Sequence, residues 1–227
     1  MIPAIILMLM RRFQRTYPQQ FLVMKAKLFY AVKILFFMVV VFLLVLITKA
    51  QEKNLDYTIK RNGNKVGKMN VREVKEGGKI SLQLQSDIKT SFIFTFSAKG
   101  IERAEYDNGT LVYSSVYQKL NGNEKVNKQI KYVNDGYIIN TNGKEEKLVN
   151  VKIHYNLLCI YNHEPLKTGL IFSDKYQKFL PIYKIDEHHY RIKFPEGSTN
   201  DYWFEKGVCK KIEVDHTFYS AVMELNQ

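Results

Sequence analysis

The sequence predicts an all-β fold, a strongly curved antiparallel meander that forms a β-roll or open barrel, with one short helix. Three observations predict it. Apolar and polar residues alternate over several short runs, Asn-Gly, Asp-Gly and Gly-Gly pairs recur between them, and Gln51 to Glu164 contains no proline. Alternation at period two gives one buried and one wet face, the habit of antiparallel sheets. Proline inside such a sheet would remove a ladder donor.

The first element in order is not part of the sheet. Ile34 to Ile47 is an uninterrupted apolar run of 14 residues, where a membrane-spanning helix needs about 20 and the core of a secretory signal about 7–15. Lys25, Lys27 and Lys33 precede it, and Thr48-Lys49-Ala50 places small residues at the first and third positions before Gln51. The stretch reads as a signal peptide over residues 24–50, cut between Ala50 and Gln51. The alternative is an uncleaved anchor, lengthened by Leu28 to Val32 if Lys33 snorkels. Met24-Lys25 has the form of a bacterial start, so residues 1–23 read as an extension ahead of the true initiator. Their rival reading is a short interfacial segment, Ile2 to Met10 before Arg11-Arg12.

Residues 51–227 read as a single β-roll domain, long enough to bury a sizeable core. Residues 1–50 hold seven of the 34 Lys and Arg and none of the Asp or Glu. The remainder keeps 27 basic against 22 acidic residues, a net of +5 in place of +12. Charges of both signs are interspersed, a solvated surface rather than a phosphate-binding stripe. Nucleic-acid binding is therefore not expected.

The strands follow from the alternation. Ile80, Leu82 and Leu84 share one face of their run, as do Phe92, Phe94, Phe96 and Ala98 in the next. Later runs group Tyr190 with Ile192 and Phe194, and Ile212 with Val214. Asn62-Gly63, Gly77-Gly78, Asn108-Gly109, Asn121-Gly122, Asp135-Gly136, Asn142-Gly143 and Lys206-Gly207 punctuate the chain, supplying the positive φ of tight hairpins. At about 5–6 residues per strand the domain has room for roughly ten to thirteen, and so many must curl to bury their apolar face. One segment departs from this pattern. Ile153, Leu157, Ile160 and Tyr161 recur at helical spacing between Asn150, a candidate N-cap, and Pro165, a stop, which predicts a short helix plugging one end of the curl. A buried strand is the alternative.

The C-terminal third resembles a known family. An aromatic ahead of Glu-Pro (Tyr161, Glu164, Pro165) is followed by a Tyr-rich strand and a Pro-x-Gly turn (Pro195, Glu196, Gly197). Asn200, Tyr202 and Gly207 before a closing strand complete the order. With the N-terminal hairpin around Asn62-Gly63 and Gly67, this pattern is similar to the domain-of-unknown-function 6134 family of exported envelope proteins. The resemblance spans roughly Leu55 to Leu225, its specificity lying in the order of several weak motifs. It implies a curved antiparallel fold in a Gram-negative envelope and no particular chemistry. Asn162 and His163 stand where the pattern would have more apolar or basic residues.

Candidate chemistry is sparse. Cys159 and Cys209 are the only cysteines; a disulfide between them is one reading in an oxidising envelope, two unpaired thiols the other. Strand phase opposes Cys209 to Ile212 and Val214, so it points outward unless a bulge intervenes. His188 and His189 project to opposite faces of a regular strand and cannot share a metal. A site drawn from His163, Glu164 and His216, or a carboxylate pair of Glu164 with Asp186 or Glu187, lacks a supporting motif. Neither a nucleophile elbow nor an oxyanion-hole loop is present. No cofactor or metal is implied, and an enzyme is not expected.

The aromatic supply is the best functional hint. Fifteen Tyr and 14 Phe stand against one Trp, and Tyr113, Tyr117, Tyr132, Tyr137, Tyr155, Tyr161, Tyr183, Tyr190, Tyr202 and Tyr219 would give a concave face both apolar and hydrogen-bonding. The expected function is that of an exported, periplasmic or secreted, non-enzymatic binding protein. It would hold a lipid or other apolar or amphipathic small molecule on that face, lined by Tyr161, Glu164, Tyr190 and Tyr202, or meet an envelope protein partner. It would touch the membrane only through an uncleaved N-terminal segment, as an N-terminally anchored inner-membrane protein. The alternatives are an envelope hydrolase and a structural protein of an envelope assembly.

Overall fold

The structure, a computed structural model of the chain, describes residues 8, 11–12, 18–47, 50–91, 95–216 and 219–226. Two compact units are present, Met1–Lys49 and Ala50–Gln227. In the first, helix α1 spans Pro18–Ile47. Leu28, Phe29, Tyr30, Val32 and Ile34 to Met38 are all exposed, so over this stretch apolar side chains are exposed on every face of the helix. Its uninterrupted apolar run rises about 21 Å at 1.5 Å per residue, short of the roughly 30 Å of a bilayer core. Among the described residues no helix is long and apolar enough to cross a membrane. Thr48 and Lys49 of the predicted cleavage triplet lie outside the described residues.

In the second unit the described residues form one antiparallel sheet of fourteen strands. These are β1 (Gln51–Arg61), β2 (Asn64–Glu76), β3 (Lys79–Ser91), β4 (Thr95–Asp107), β5 (Thr110–Leu120), β6 (Asn123–Val133), β7 (Gly136–Thr141), β8 (Lys144–Val149), β9 (Leu170–Ser173), β10 (Lys178–Asp186), β11 (His189–Lys193), β12 (Thr199–Glu205), β13 (Val208–His216) and β14 (Tyr219–Leu225). The count exceeds the expected ten to thirteen because hairpins close in two residues and leave little chain in turns. Four of the predicted pairs, such as Asn62-Gly63 with φ of 48° and 77°, sit at the tips with left-handed backbone at both residues, as does Lys206-Gly207, whereas in Gly77-Gly78 only Gly77 is left-handed. Two tips differ from expectation. Asn134-Asp135, not Asp135-Gly136, makes the turn before β7. The β10–β11 turn uses Glu187-His188, with His188 at φ 56°, so His188 and His189 do not share a strand.

Sheet order is β8-β7-β6-β5-β4-β3-β2-β1-β14-β13-β12-β11-β10-β9. Two meanders therefore meet at a seam where β1 pairs with β14, Tyr57 opposite Leu225. The sheet is not closed, and its edges are β8 and β9. Between them residues 150–169 carry the chain from one edge to the other. That passage explains why the predicted helix is only a 3₁₀ turn, Leu157–Tyr161. Residues 151–156 are extended because their backbone is already engaged: Leu111 N–H donates to Ile153 O (2.8 Å) and Phe172 N–H to Tyr155 O (3.0 Å). Asn150 has φ 57° and caps nothing. Asn156 precedes the 3₁₀ turn without a side-chain cap, its amide being committed elsewhere.

The core is one cluster on the inner face, and the turn supplies Leu158, Cys159 and Ile160 to it. Ile80, Leu82, Leu84, Tyr190, Ile192, Phe194, Ile212 and Val214 belong to or pack against this cluster, as the alternation predicts; Phe92 and Phe94 lie outside the described residues. Cys209 is also buried. The bulge that would turn it inward exists: the β12–β13 register shifts between Trp203, opposite Lys211, and Phe204, opposite Cys209, so Cys209 joins Ile212 inside. Cys159 and Cys209 are both free, and the predicted alternative of a disulfide between them is not realised. Burial pushes their thiols up to about 11 and about 12, which leaves both protonated and inert.

The β2–β3 contact is tight at Gly67. A Cβ there would meet Asp87 O at 2.4 Å and Ile88 Cα at 2.9 Å, both backbone atoms. Gly67→Ala is expected to cost about 1–3 kcal/mol, as overpacking does, read from the urea midpoint. An unchanged midpoint would show that these strands separate more easily than their register implies.

Candidate functional site

On the inner face a cavity of about 310 Å³ remains unfilled. Period-two alternation along β4 sends Gly100, Glu102, Ala104 and Tyr106 inward, and Glu102 is the one of these that lines the cavity. Val116 and Gln118 of β5, Tyr202 of β12 and Met223 of β14 form further wall. The 3₁₀ turn adds Leu157 and Tyr161, and the turn after β9 brings Asp174, Lys175 and Tyr176.

Two carboxyls that line the cavity are in different circumstances, Asp174 buried and Glu102 half-buried. Asp174 is held firmly, Oδ1 accepting from Ser114 Oγ (2.5 Å) and Oδ2 from Asn156 Nδ2 (2.9 Å). Burial pushes it up to about 6 against those hydrogen bonds. Glu102 has one long hydrogen bond, from Gln118 Nε2 at 3.4 Å. Burial, with the charge of Asp174 beside it, pushes Glu102 up to about 7. At the rim Tyr176 Oη and Ser198 Oγ (2.9 Å) donate to Glu196, and Asn200 Nδ2 donates to Tyr202 Oη (3.1 Å). Burial raises the Tyr161 and Tyr202 phenols, so both are neutral hydroxyls.

These shifts fix a pH dependence. A carboxyl whose folded pKa lies above its unfolded value keeps its proton in the native state after the unfolded chain has lost it. Stability then falls as pH rises through the interval and levels off above it. For Asp174 and Glu102 the interval runs from 3.8 to about 6 and from 4.5 to about 7. Glu52, Glu73, Glu196 and Glu224 are shifted the other way, so their contribution is lost only as pH falls below the ordinary range. The urea midpoint is expected to drop between about pH 5 and about pH 7 and to level off above that, and Glu102→Gln to flatten the drop. A wild-type midpoint that rises over this range would refute the assignment.

Of the four predicted lining residues, Tyr161 and Tyr202 line the cavity. Glu164 and Tyr190 do not, a correction with a clear cause. The Glu164 carboxylate accepts from Tyr190 Oη (2.9 Å) and lies 2.9 Å from His188 Nδ1, which ties both to the β10–β11 hairpin. His163 Nε2 is 2.6 Å from Glu73 Oε2, and Lys75 Nζ is 3.0 Å from Glu73 Oε1. His216 lines the cavity and stacks on Tyr219 at 4.8 Å. The combination of His163, Glu164 and His216 is thus divided among separate partners. Among the described residues no group of three or more His, Cys, Asp or Glu is placed to hold a metal ion. Asp186 accepts from the Glu187 backbone N–H at 2.7 Å.

Many of the tyrosines serve the crossing segment instead of a ligand. Tyr137 Oη donates to Leu111 O (2.9 Å) and accepts from Ile153 N–H (3.0 Å). Tyr106 Oη donates to Asn156 Oδ1 (2.9 Å) and accepts from Asn156 N–H (3.1 Å). Tyr155 Oη donates to His163 O, and Tyr57 Oη to Cys209 O (2.7 Å). Tyr183 is exposed, and Tyr219, though exposed, lines the cavity as expected. Glu102 and Asp174 were not anticipated from sequence. Glu102 carries a signal, an acid in the inward phase between Gly100 and Ala104; Asp174 carries none.

Residues 57–226 match the family described as Domain of unknown function (DUF6134), and the chain belongs to that family. No curated protein matches it. Among solved structures it is similar to a β-barrel-like protein of the domain of unknown function DUF1849 from Brucella abortus. Identity is 10%, covering 78% of this chain and 95% of that one, with a TM-score of 0.45.

Proposed function

We propose that the chain is an exported envelope protein that binds an apolar or amphipathic small molecule on the inner face of its sheet, without chemical turnover. The cavity carries this reading. Aliphatic and aromatic side chains such as Val116, Leu157, Tyr161 and Met223 line it in nearly equal number with polar and charged ones, a mixture that suits an amphipathic molecule with an apolar part and a polar head. Its floor includes a carboxyl, Glu102, whose hydrogen-bonding capacity the protein leaves largely unused. Export is supported by Lys25, Lys27 and Lys33 preceding the apolar run Ile34 to Ile47 within helix α1. It is also supported by the start of β1 at Gln51, so a cut after Ala50 leaves the whole sheet.

Protein purified from an envelope fraction and extracted into organic solvent is expected to release one dominant amphipathic species by mass spectrometry. Its first residue is expected to be Gln51. Recovery of buffer components alone would overturn the binding reading, and recovery of the leader at the amino end would overturn processing. A hydrolase is the second reading, favoured by one observation: Glu102 and Asp174 share a cavity with pKa values raised into the range useful for proton transfer. Turnover of ester or glycoside substrates that Glu102→Gln abolishes would select it.

A further inference from the structure

We propose that the cavity takes a ligand bearing an aliphatic ammonium group on an apolar body, with Glu102 as its counter-ion. This rests on the binding reading above and narrows it to a chemical class.

The cavity is acidic within a chain of formal charge +12. Three carboxyls line it, Glu102, Asp174 and Glu196, against Lys175 and His216. Two of the three are engaged by the protein. Asp174 has a donor on each oxygen, and Glu196 accepts from Tyr176 and Ser198. Glu102 alone retains capacity, its single bond from Gln118 being 3.4 Å long. Lys175 places its Nζ 4.8 Å over the Tyr176 ring. A carboxylate held half-buried beside Asp174, with Lys175 acting on it but not in salt-bridge contact, is poorly compensated, and a ligand ammonium removes that cost. A ligand carboxylate would add to it. Tyr161 and Tyr202 supply rings beside the same space, which favour a desolvated cation.

The groups that face Glu102 set the pH response. Gln118 approaches from β5, Asp174 and Lys175 from the turn after β9, Tyr161 from the 3₁₀ turn and Tyr202 from β12. Glu196 and His216 line the same cavity. An empty cavity keeps Glu102 protonated below about 7. An ammonium binds the ionised form, so binding expels a proton. Affinity is full above that value and falls up to about tenfold per pH unit below it.

The test is calorimetric titration of the purified protein with octylammonium, octanol and octanoate, at about pH 8 and about pH 5. Octylammonium is expected to bind about tenfold or more tighter than octanol at the higher pH and to lose that advantage at the lower. Octanoate is expected to bind weakest. Glu102→Gln, checked for native circular dichroism, is expected to bind octylammonium and octanol alike. Equal affinity of the wild type for the two at the higher pH, tightest binding of octanoate, or a pH-independent preference would overturn the proposal while leaving the binding reading intact. Failure of all three probes to bind would overturn both. The head-group and pH comparisons on the wild type decide the question even if the variant does not fold.

Discussion

Leu158→Asp is expected to leave the Ala50–Gln227 unit without a cooperative unfolding transition, and Leu158→Ala to cost about 2–5 kcal/mol. Leu158 is 1% exposed and sits in the 3₁₀ turn that touches β3, β4, β9 and β13, strands drawn from both meanders. The sheet has no ladder joining β8 to β9, so the turn is one of the few apolar bridges between the two halves. A methylene loss opens a void among rigid neighbours, which relax only partly. A carboxylate there would sit among the apolar side chains of the core, and its burial exceeds what a marginally stable domain tolerates. Urea titration followed by circular dichroism measures both. A Leu158→Ala midpoint within error of wild type would show that the turn is a passenger.

Tyr106→Phe is expected to destabilise by about 1–3 kcal/mol, the cost of leaving the buried Asn156 N–H unpaired, since Asn156 Oδ1 keeps the Cys159 thiol at 3.4 Å. The Tyr106 hydroxyl donates to Asn156 Oδ1, accepts from Asn156 N–H, and receives the Cys159 thiol at 3.2 Å. The ring is kept in the variant, so packing is unchanged and the loss isolates the hydrogen bonds. Burial, with Cys159 and Asp174 adding to it, raises the Tyr106 phenol well above its ordinary range, so it is a neutral donor at every relevant pH. A loss below about 0.5 kcal/mol would mean that water takes over the hydroxyl's partners. Tyr137→Phe makes a companion test of similar size, since its hydroxyl donates to Leu111 O and accepts from the buried Ile153 N–H.

The β architecture was legible because its signals are local. Alternation at Leu82 and Leu84 or Tyr190 and Ile192, and left-handed pairs such as Asn108-Gly109, depend only on neighbours in sequence. The crossing segment was misread for the opposite reason. Ile153, Leu157 and Ile160 do face the core, but β5 and β9 claim the backbone of residues 151–156 before a helix can. Nothing within the segment announces those partners. Cys209 lies between the two cases: phase alone placed it outside, and one extra residue at Lys210 reversed it.

The candidate site shows the same division. Tyr161 and Tyr202 were visible as aromatics in a sheet-rich chain, whereas Glu164 and Tyr190 were misassigned because their mutual hydrogen bond spans two elements. The inward phase of Glu102 was readable along β4. What makes it a functional candidate was not, because that depends on Asp174 arriving from 72 residues further along the chain. Tyrosine content pointed to a wet concave face. Tyr106 and Tyr137 instead hold an internal strap, leaving only part of that face for anything else.

The seam between β1 and β14 has a consequence for biogenesis. Tyr57 waits for Leu225 before the first strand acquires its second neighbour, so the longest-range registry in the molecule is also the last to become available during synthesis. Such non-local pairing slows folding. Until the last strand is made, the edge that β1 offers to β14 stays unpaired, the interval in which an open strand edge is most prone to pair elsewhere.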